Sequence, residues 1–246
     1  MLKSLTQPIL SSLTSPLTGL VDGFTPVSLG ATIWIDANNV SESGGTVTGW
    51  TDLAGFGNGA SQGTVSMQAV LSTGADGFPE VVFDGVDDHY EIANDASIPF
   101  IPQTDEWTNI IVVGDNPGYR ARLFCKGLFN ENGNFLMSRF NDIPSCRAGA
   151  ASSTAGAGAT SLTKYVHEQR VSTTVNELFV DGVSKDTGVV GSATTTNTAT
   201  IGAVNTTDFT NRPYEGGIRA VITIPRVITT AEATQLYAFI ATEYNV

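Results

Sequence analysis

The sequence has few basic residues and no long hydrophobic run. Lys and Arg together number 12 against 24 Asp and Glu, which gives a formal net charge of −12. Proteins that bind nucleic acids draw most of their affinity from Lys and Arg that neutralise phosphates, so this balance argues against nucleic acid as a partner. Anionic membrane surfaces are disfavoured for the same reason. No apolar run reaches the ~18 residues that a transmembrane helix needs, so no membrane insertion is predicted.

The common catalytic motifs are also missing. The chain contains no Gly-x-Ser-x-Gly elbow, no His-Glu-x-x-His, no phosphate loop and no Gly-x-Gly-x-x-Gly. His89 and His167 are the only histidines, so a His-rich metal site or a catalytic triad is hard to assemble. We therefore expect neither histidine to be catalytic.

Two cysteines, Cys125 and Cys146, fit no zinc-binding spacing. The N-terminus predicts no secretion signal, because Pro8, Pro16 and regular Ser and Thr interrupt its apolar residues. A protein made and used without export keeps its thiols reduced, so we expect free thiols and not a disulfide.

The composition favours a β-rich chain, with 41% hydrophobic and only 15% charged residues among 246. An Asp181-Gly182 hairpin signal and a Thr229/Glu232 capping box, which opens a C-terminal helix ending near Tyr244, are the clearest local patterns. Short segments rich in branched and aromatic residues predict strands at 31–36, 47–51, 80–83, 89–92, 109–113, 122–125, 135–139, 165–171, 174–180, 183–185, 198–201 and 218–224.

Four segments share their order and spacing with a known family. They are LGATIWIDA at 29–37, WTDLAGFGN at 50–58, FDGVDDHY at 83–90, and GGI at 216–218 followed by the helix. Together they resemble laminin-G-like, concanavalin A-like domains of the kind found in bacteriophage virion proteins. The resemblance implies an all-β, concanavalin A-like jelly-roll sandwich of two antiparallel sheets with a short C-terminal helix. We place this domain at 27–246 and an N-terminal arm at 1–26.

The arm contains an apolar repeat in which Leu-Thr-x-Pro recurs after eight residues. Its prolines disfavour a straight helix, and so short a segment cannot bury its own leucines. A disordered tail is the plain alternative. We predict that the arm instead anchors the domain to a partner, through residues Leu5, Pro8, Ile9, Leu13, Pro16, Leu17 and Leu20.

The resemblance also defines which catalytic residues to look for. Glucanases of this fold carry Glu-x-Asp-x-Glu or Glu-x-Asp-x-x-Glu on one strand, where the carboxylates act as nucleophile and acid. No Glu-x-Asp occurs in this chain. We therefore assign no catalytic residue and predict that the protein is not an enzyme.

The acidic turn at Asp84, Asp87 and Asp88 is the one candidate metal site. Some laminin-G-like domains bind calcium near the rim of the sandwich, and carboxylates at short spacing suit calcium. Turn chemistry alone explains Asp84-Gly85, however, because an Asp in a turn bonds its own backbone. We expect no cofactor and keep these three residues as calcium candidates. Asp36 and Asp52 are interpreted as structural, bonding nearby loop amides.

Three tryptophans raise the question of sugar stacking. Trp34 and Trp50 lie in strand-like contexts where large aromatic residues fill the core. Trp107 follows a Pro-rich loop and is flanked by Glu106 and Thr108, so it is the candidate for an exposed glycan contact.

Two classes of function follow. The first is a non-enzymatic bacteriophage structural protein, such as a head decoration, fibre or tail appendage, located in the virion after synthesis in the host cytoplasm. Other virion proteins would bind its arm, and we expect a homo-oligomer; trimers are common among such appendages, although nothing in the sequence specifies three. The alternative is a lectin for a host or environmental polysaccharide, and the third reading is a polysaccharide-degrading enzyme.

Overall fold

The computed structural model describes residues 23–92, 98, 101–115, 120–127, 135–140, 143–149, 164–193, 198–203 and 213–246. The anchoring residues predicted in the arm, Leu5 to Leu20, lie outside this set, so the anchoring role stays a prediction. Phe24, which the sequence assigned to the arm, packs its ring edge-on against Phe239 with the centroids 6.3 Å apart. The body of the domain therefore includes Phe24.

The described residues form sixteen strands and one α-helix. The strands are β1 Ile33–Asp36, β2 Val40–Ser43, β3 Thr46–Trp50, β4 Ala60–Ser61, β5 Val70–Thr73, β6 Pro79–Asp84, β7 Tyr90–Ile92, β8 Trp107–Val113, β9 Arg120–Lys126, β10 Phe135–Phe140, β11 Ile143–Ala148, β12 Tyr165–Val171, β13 Val175–Val180, β14 Val183–Val189, β15 Ala199–Ile201 and β16 Glu215–Ile224. The helix, α1, spans Thr230–Tyr244.

These strands build two antiparallel sheets of eight strands each. The first sheet has the order β14-β13-β12-β8-β16-β6-β5, and β1 also pairs with β16. The second sheet has the order β11-β10-β9-β15-β7-β4-β3-β2. Apolar side chains from both sheets, among them Trp50, Phe83, Ile111 and Phe124, form one buried cluster between them. The arrangement confirms the predicted all-β sandwich.

Helix α1 forms a third layer on the outer face of the first sheet. Its Leu236, Phe239 and Ile240 pack with Ile110 and Ile222 of the two central strands. Consequently β16 is buried on both faces, whereas the alternation at 218–224 had predicted one less buried face. No helix in the described ranges is long and apolar enough to cross a bilayer.

The buried Arg219 ties the chain terminus to the first sheet. Only 1% exposed, it donates from Nη1 and Nη2 to the two carboxylate oxygens of Asp76, at 2.8 and 2.9 Å. Its Nη1 also donates to the carbonyl of Tyr244 at 2.6 Å. A second carboxylate, on the buried Glu80, lies 3.5 Å from Nη2. Because a buried charge is tolerated only when paired, this network fixes the end of α1 against β16.

Candidate functional site

The loop between β3 and β4 is organised by a single carboxylate. Oδ1 of Asp52 accepts the backbone N–H groups of Trp34 and Ala54, at 3.2 and 3.0 Å. Oδ2 accepts those of Phe56 and Asn58, at 2.9 and 3.1 Å. Hydrogen bonds to a charged acceptor are stronger than neutral ones, so four of them hold this loop in one conformation. The structural role predicted for Asp52 is confirmed.

This loop presents an aromatic ring to solvent. The side chain of Phe56 is 54% exposed, although large aromatic residues normally bury most of their surface. Gly55 and Gly57 on either side have φ angles of 84° and 78°, a left-handed conformation that favours glycine. The ring therefore projects from a rigid support, as an aromatic contact for a ligand needs to do. Sequence reasoning missed Phe56, although an aromatic residue between two glycines was a visible signal.

Trp107, in contrast, is not available to a ligand. It is 0% exposed in β8, where it pairs with Val171 of β12 and its ring lies 6.5 Å from that of Phe135. The prediction that Trp107 stacks on a glycan is therefore wrong. Its polar flanking residues suggested an exposed position, but β8 lies in the middle of a sheet that is covered on both faces.

The other two tryptophans pack as predicted. Trp50 is 3% exposed and belongs to the core between the sheets. Trp34 is half-buried under α1, where its Nε1 donates to the hydroxyl of Tyr244 at 3.0 Å and its ring lies 5.7 Å from Phe239. Neither ring is free for a ligand.

The three predicted calcium candidates do meet in space. One ligand atom from each of Asp84, Asp87 and Asp88 lies within 4.8 Å of the others. Turn chemistry also operates there, since Oδ1 of Asp84 accepts the N–H of Val86 at 2.8 Å and Oδ2 of Asp88 accepts the N–H of Asp84 at 2.9 Å. Gly85 has a φ of 77°, as the Asp-Gly turn predicts. Calcium binding stays a prediction, because these bonds explain the cluster without an ion.

Burial sets the electrostatics of this turn. Burial, with a smaller contribution from repulsion by the carboxylates of Asp84 and Asp87, raises the pKa of Asp88 to about 6. An acid of this pKa exchanges protons near neutral pH, as a general acid would. A bound divalent cation would reverse the effect by favouring the ionised form.

Both histidines are enclosed. Nδ1 of His89 donates to the carbonyl of Asp87 at 2.8 Å, and its Nε2 lies 2.9 Å from the side-chain nitrogen of Gln62. His167 lies in β12 and is 0% exposed. Burial lowers the pKa of His167 to about 3, so the ring is neutral at physiological pH. Cys125 and Cys146 are buried free thiols.

The exposed ring and the acidic turn lie at opposite ends of the sandwich. Strands β4 and β7 are antiparallel, with Ala60 opposite Ile92 and Ser61 opposite Glu91. The Phe56 loop precedes β4 and the acidic turn precedes β7. The register of β16 gives their separation: Asp84 pairs with Glu215, whereas Trp34, whose N–H bonds Asp52 of the Phe56 loop, pairs with Ile222 seven residues further along. The two features therefore do not form one site.

No protein-family model matches the chain, and no curated protein sequence matches it significantly. Solved structures do. Domain 4 of AbnA, an extracellular arabinanase from Geobacillus stearothermophilus in complex with arabinotriose, is 14% identical, with a TM-score of 0.55 over 84% of this chain and 98% of that chain.

Two other neighbours are larger. Trypanosoma rangeli sialidase in complex with sialic acid is 14% identical, with a TM-score of 0.56 over 87% of this chain and 33% of that chain. The binding domain of Paraclostridial Mosquitocidal Protein 1 is 10% identical, with a TM-score of 0.56 over 84% of this chain and 51% of that chain. The chain thus spans a third of the sialidase and half of the binding domain. Likeness at such identities defines a β-sandwich domain; the laminin-G-like and bacteriophage assignments stay predictions.

Proposed function

We propose that the protein is a non-catalytic glycan-binding β-sandwich domain. The observation that carries the proposal is its overlap with an isolated arabinanase domain captured with an oligosaccharide, over 84% of this chain and 98% of that one. Both are single sandwiches of comparable extent. The absence of the glucanase Glu-x-Asp pattern supports binding over hydrolysis.

The charge of the chain favours a neutral glycan as the ligand. Sialic acid carries a carboxylate, and a protein with a formal net charge of −12 repels anions unless a local basic cluster opposes its field. An arabinose oligomer carries no charge and meets no such barrier. We therefore favour a neutral oligosaccharide, in spite of the likeness to a sialidase.

The Phe56 loop is the contact surface we assign to this ligand. The C–H groups of a sugar ring pack well on an aromatic face, and a ring held on a rigid loop loses little conformational freedom on binding. Phe56 is such a ring, because Asp52 accepts its backbone N–H at 2.9 Å and two glycines flank it.

Calorimetric titration with arabinotriose, sialyllactose and a panel of neutral oligosaccharides tests the proposal. Saturable binding of a neutral glycan is expected, and Phe56→Ala should weaken it about tenfold, equivalent to a loss of ~1.4 kcal/mol. Val189→Ala is the matched control, because Val189 is 69% exposed on the edge strand β14, and it should leave affinity unchanged. Binding that Phe56→Ala does not weaken would move the site elsewhere; no binding across the panel would refute the glycan-binding function.

Attachment to a bacteriophage particle is the second proposal, and its support is the apolar, proline-interrupted arm. The two roles are compatible, since an anchored domain can also bind glycans. Deleting residues 2–22 and measuring incorporation into particles tests it. Full incorporation of the truncated protein would refute the anchor.

Hydrolysis of a polysaccharide is the third proposal, supported by the sialidase and arabinanase neighbours. In the acidic turn Asp88, with its raised pKa, lies beside Asp84, and this arrangement of carboxylates suits acid catalysis. Release of shortened products from a broad polysaccharide panel, abolished in Asp88→Asn, would establish it.

A further inference from the structure

A polar group of side chains interrupts the apolar core between the two sheets. Asn109 of β8 lies directly opposite Gln169 of β12, and His167 lies opposite Ile111 two residues further along. All three polar side chains are 0% exposed. Because alternate residues of a strand share a face, they point to the same side as the core residue Ile111, towards the second sheet.

Part of their hydrogen-bonding capacity is used. The hydroxyl of Thr223 donates to Oδ1 of Asn109 at 2.8 Å. Nε2 of Gln169 donates to Oδ1 of Asn176 at 2.9 Å and to the carbonyl of Arg147 at 3.0 Å. These bonds fix both amides, with the Asn109 oxygen and the Gln169 nitrogen already occupied.

The remaining polar atoms have no hydrogen-bond partner within the described part of the chain. They are Nδ2 of Asn109, Oε1 of Gln169 and both ring nitrogens of His167. Leaving a buried donor or acceptor unpaired destabilises the folded state, and native interiors contain few such atoms. Three neighbouring residues with this deficit would be hard to tolerate in a marginally stable fold.

We propose that this group is a binding site for one or more internal water molecules. The water lies between the two sheets and bridges side chains of β8 and β12, which are neighbours in the first sheet. The unmatched atoms define the chemistry of the ligand. Asn109 offers a donor, Gln169 an acceptor, and a neutral imidazole one of each, so the ligand must both donate and accept. Water does both and is small enough for a close-packed core, where bound waters make about three hydrogen bonds each.

An ion is the wrong ligand for this site. His167 is neutral, because burial holds its pKa far below the usual value, and the two amides carry no charge. Glu168, the adjacent carboxylate, belongs to the opposite face of β12, where it accepts from Tyr237 Oη at 2.7 Å and Arg170 Nε at 2.6 Å. A cation would therefore find no anionic ligand among these three residues, and an anion no positive charge.

A high-resolution crystal structure of the whole chain tests the proposal directly. Ordered solvent density is expected within hydrogen-bonding distance of both Asn109 Nδ2 and Gln169 Oε1. If the density shows these two atoms bonded directly to one another, or the space between them filled by protein, the proposal is overturned.

Nuclear magnetic resonance gives an independent readout in solution. The side-chain amide protons of Asn109 should show cross-relaxation with long-lived bound water, and Asn109→Leu/Gln169→Leu should abolish water signals from this part of the core. Thr108→Val is the matched control, because it removes a buried hydroxyl from the other face of β8, where that hydroxyl donates to the carbonyl of Arg226 at 2.9 Å, and leaves the site unchanged, so the water signal should persist. Absence of the signal from the folded wild type would refute the site even if the double variant fails to fold.

Discussion

At the residue scale, the backbone at Gly217 lies close to the buried side chain of Glu80. A Cβ added there would lie 2.5 Å from Cδ and 2.6 Å from Oε2 of Glu80, a side chain that is 4% exposed. We expect Gly217→Ala to lower the free energy of unfolding by about 1–3 kcal/mol through overpacking. Gly63→Ala is the control, since nothing lies within 4 Å of its added Cβ. Urea unfolding of the two variants measures the difference; equal stabilities would contradict the steric argument.

The raised pKa of Asp88 gives a second prediction at this scale. An acid with a pKa of about 6 in the folded state, against 3.8 ordinarily, binds more protons when folded than when unfolded. The stabilisation that this bound proton gives the folded state is therefore lost as pH rises from about 4 to about 6. Asp88→Asn should remove this part of the pH dependence of the free energy of unfolding.

The control for that experiment is Asp186→Asn on the edge strand β14, which removes one carboxylate outside the acidic turn, so any change common to both variants comes from the loss of a negative charge alone. Calcium can be examined in the same series. A bound cation would hold Asp88 ionised and flatten the slope, together with a rise in melting temperature. No heat on calorimetric titration and no melting shift would remove Asp84, Asp87 and Asp88 as calcium ligands.

The roles of individual residues were harder to predict from the sequence than the fold. Trp107 is flanked by polar residues, yet it lies in the core between the sheets, where its ring packs near Phe135 of the second sheet. Local sequence does not specify such tertiary partners. The hydrogen bonds that Asp52 accepts from its loop were predictable, because an Asp that precedes a Gly-rich sequence commonly bonds loop amides. The exposed position of Phe56 depends on those hydrogen bonds, and it could be recognised only once the structure showed which backbone N–H groups Asp52 accepts.

At the scale of elements, patterned strands and the capped helix were predictable. Tyr165–Val171 is a strand over the predicted range, and β13 and β14 form the hairpin at Asp181-Gly182. Thr229 and Glu232 form both bonds of the predicted capping box. These elements carry their own signals in alternation, turn chemistry and helical spacing.

Four strands had no such signal. β2 and β5 are mostly exposed edge strands with little alternation, and β4 has only two residues. β11 contains Pro144, which argues against a central strand but is tolerated at the sheet edge that β11 occupies. Pairing partners distant in sequence, and not local propensity, define these four.

The helix cap gives a testable prediction. Thr229 accepts the N–H of Glu232 at 3.3 Å, so Thr229→Ala should lower the free energy of unfolding by ~1 kcal/mol. Thr242→Ala near the other end is the control, because its hydroxyl only bonds the exposed carbonyl of Ala238 at 2.9 Å. Because Ala has a higher helix propensity than Thr, Thr242→Ala should not destabilise the helix; a loss as large as that of Thr229→Ala, measured by urea unfolding, would contradict the capping role.

The same cap predicts acid sensitivity of α1. Hydrogen bonding to Arg226 lowers the pKa of Glu232 from 4.5 to about 2. The folded state therefore binds fewer protons than the unfolded state, and the stabilisation is lost as pH falls from about 4.5 towards 2. Because the side chains of Arg226 and Glu232 are both partly exposed, screening by solvent reduces the size of this stabilisation.

At the scale of the whole molecule, the described residues form a three-layered body. Two sheets enclose one core, α1 covers the first sheet, and Phe24 closes the edge of that layer. The Phe56 loop and the acidic turn occupy opposite ends of the sandwich. A ligand at the Phe56 loop would therefore leave the acidic turn free to bind a metal ion.

The last prediction concerns association through the arm. A formal net charge of −12 makes the bodies repel one another, so any oligomer must gain its stability from apolar contacts. The leucines and prolines of the arm are the apolar segment that the sequence offers for this purpose. Light scattering should therefore show an oligomer for the full chain and a monomer after deletion of residues 2–22, with far-UV circular dichroism unchanged. Replacing Leu13 and Leu17 by Asp should reproduce the deletion, whereas Ser11→Asp and Ser12→Asp should have a smaller effect. A full chain that is monomeric at all concentrations, or a truncated chain that keeps the same mass as the assembled one, would refute association through the arm.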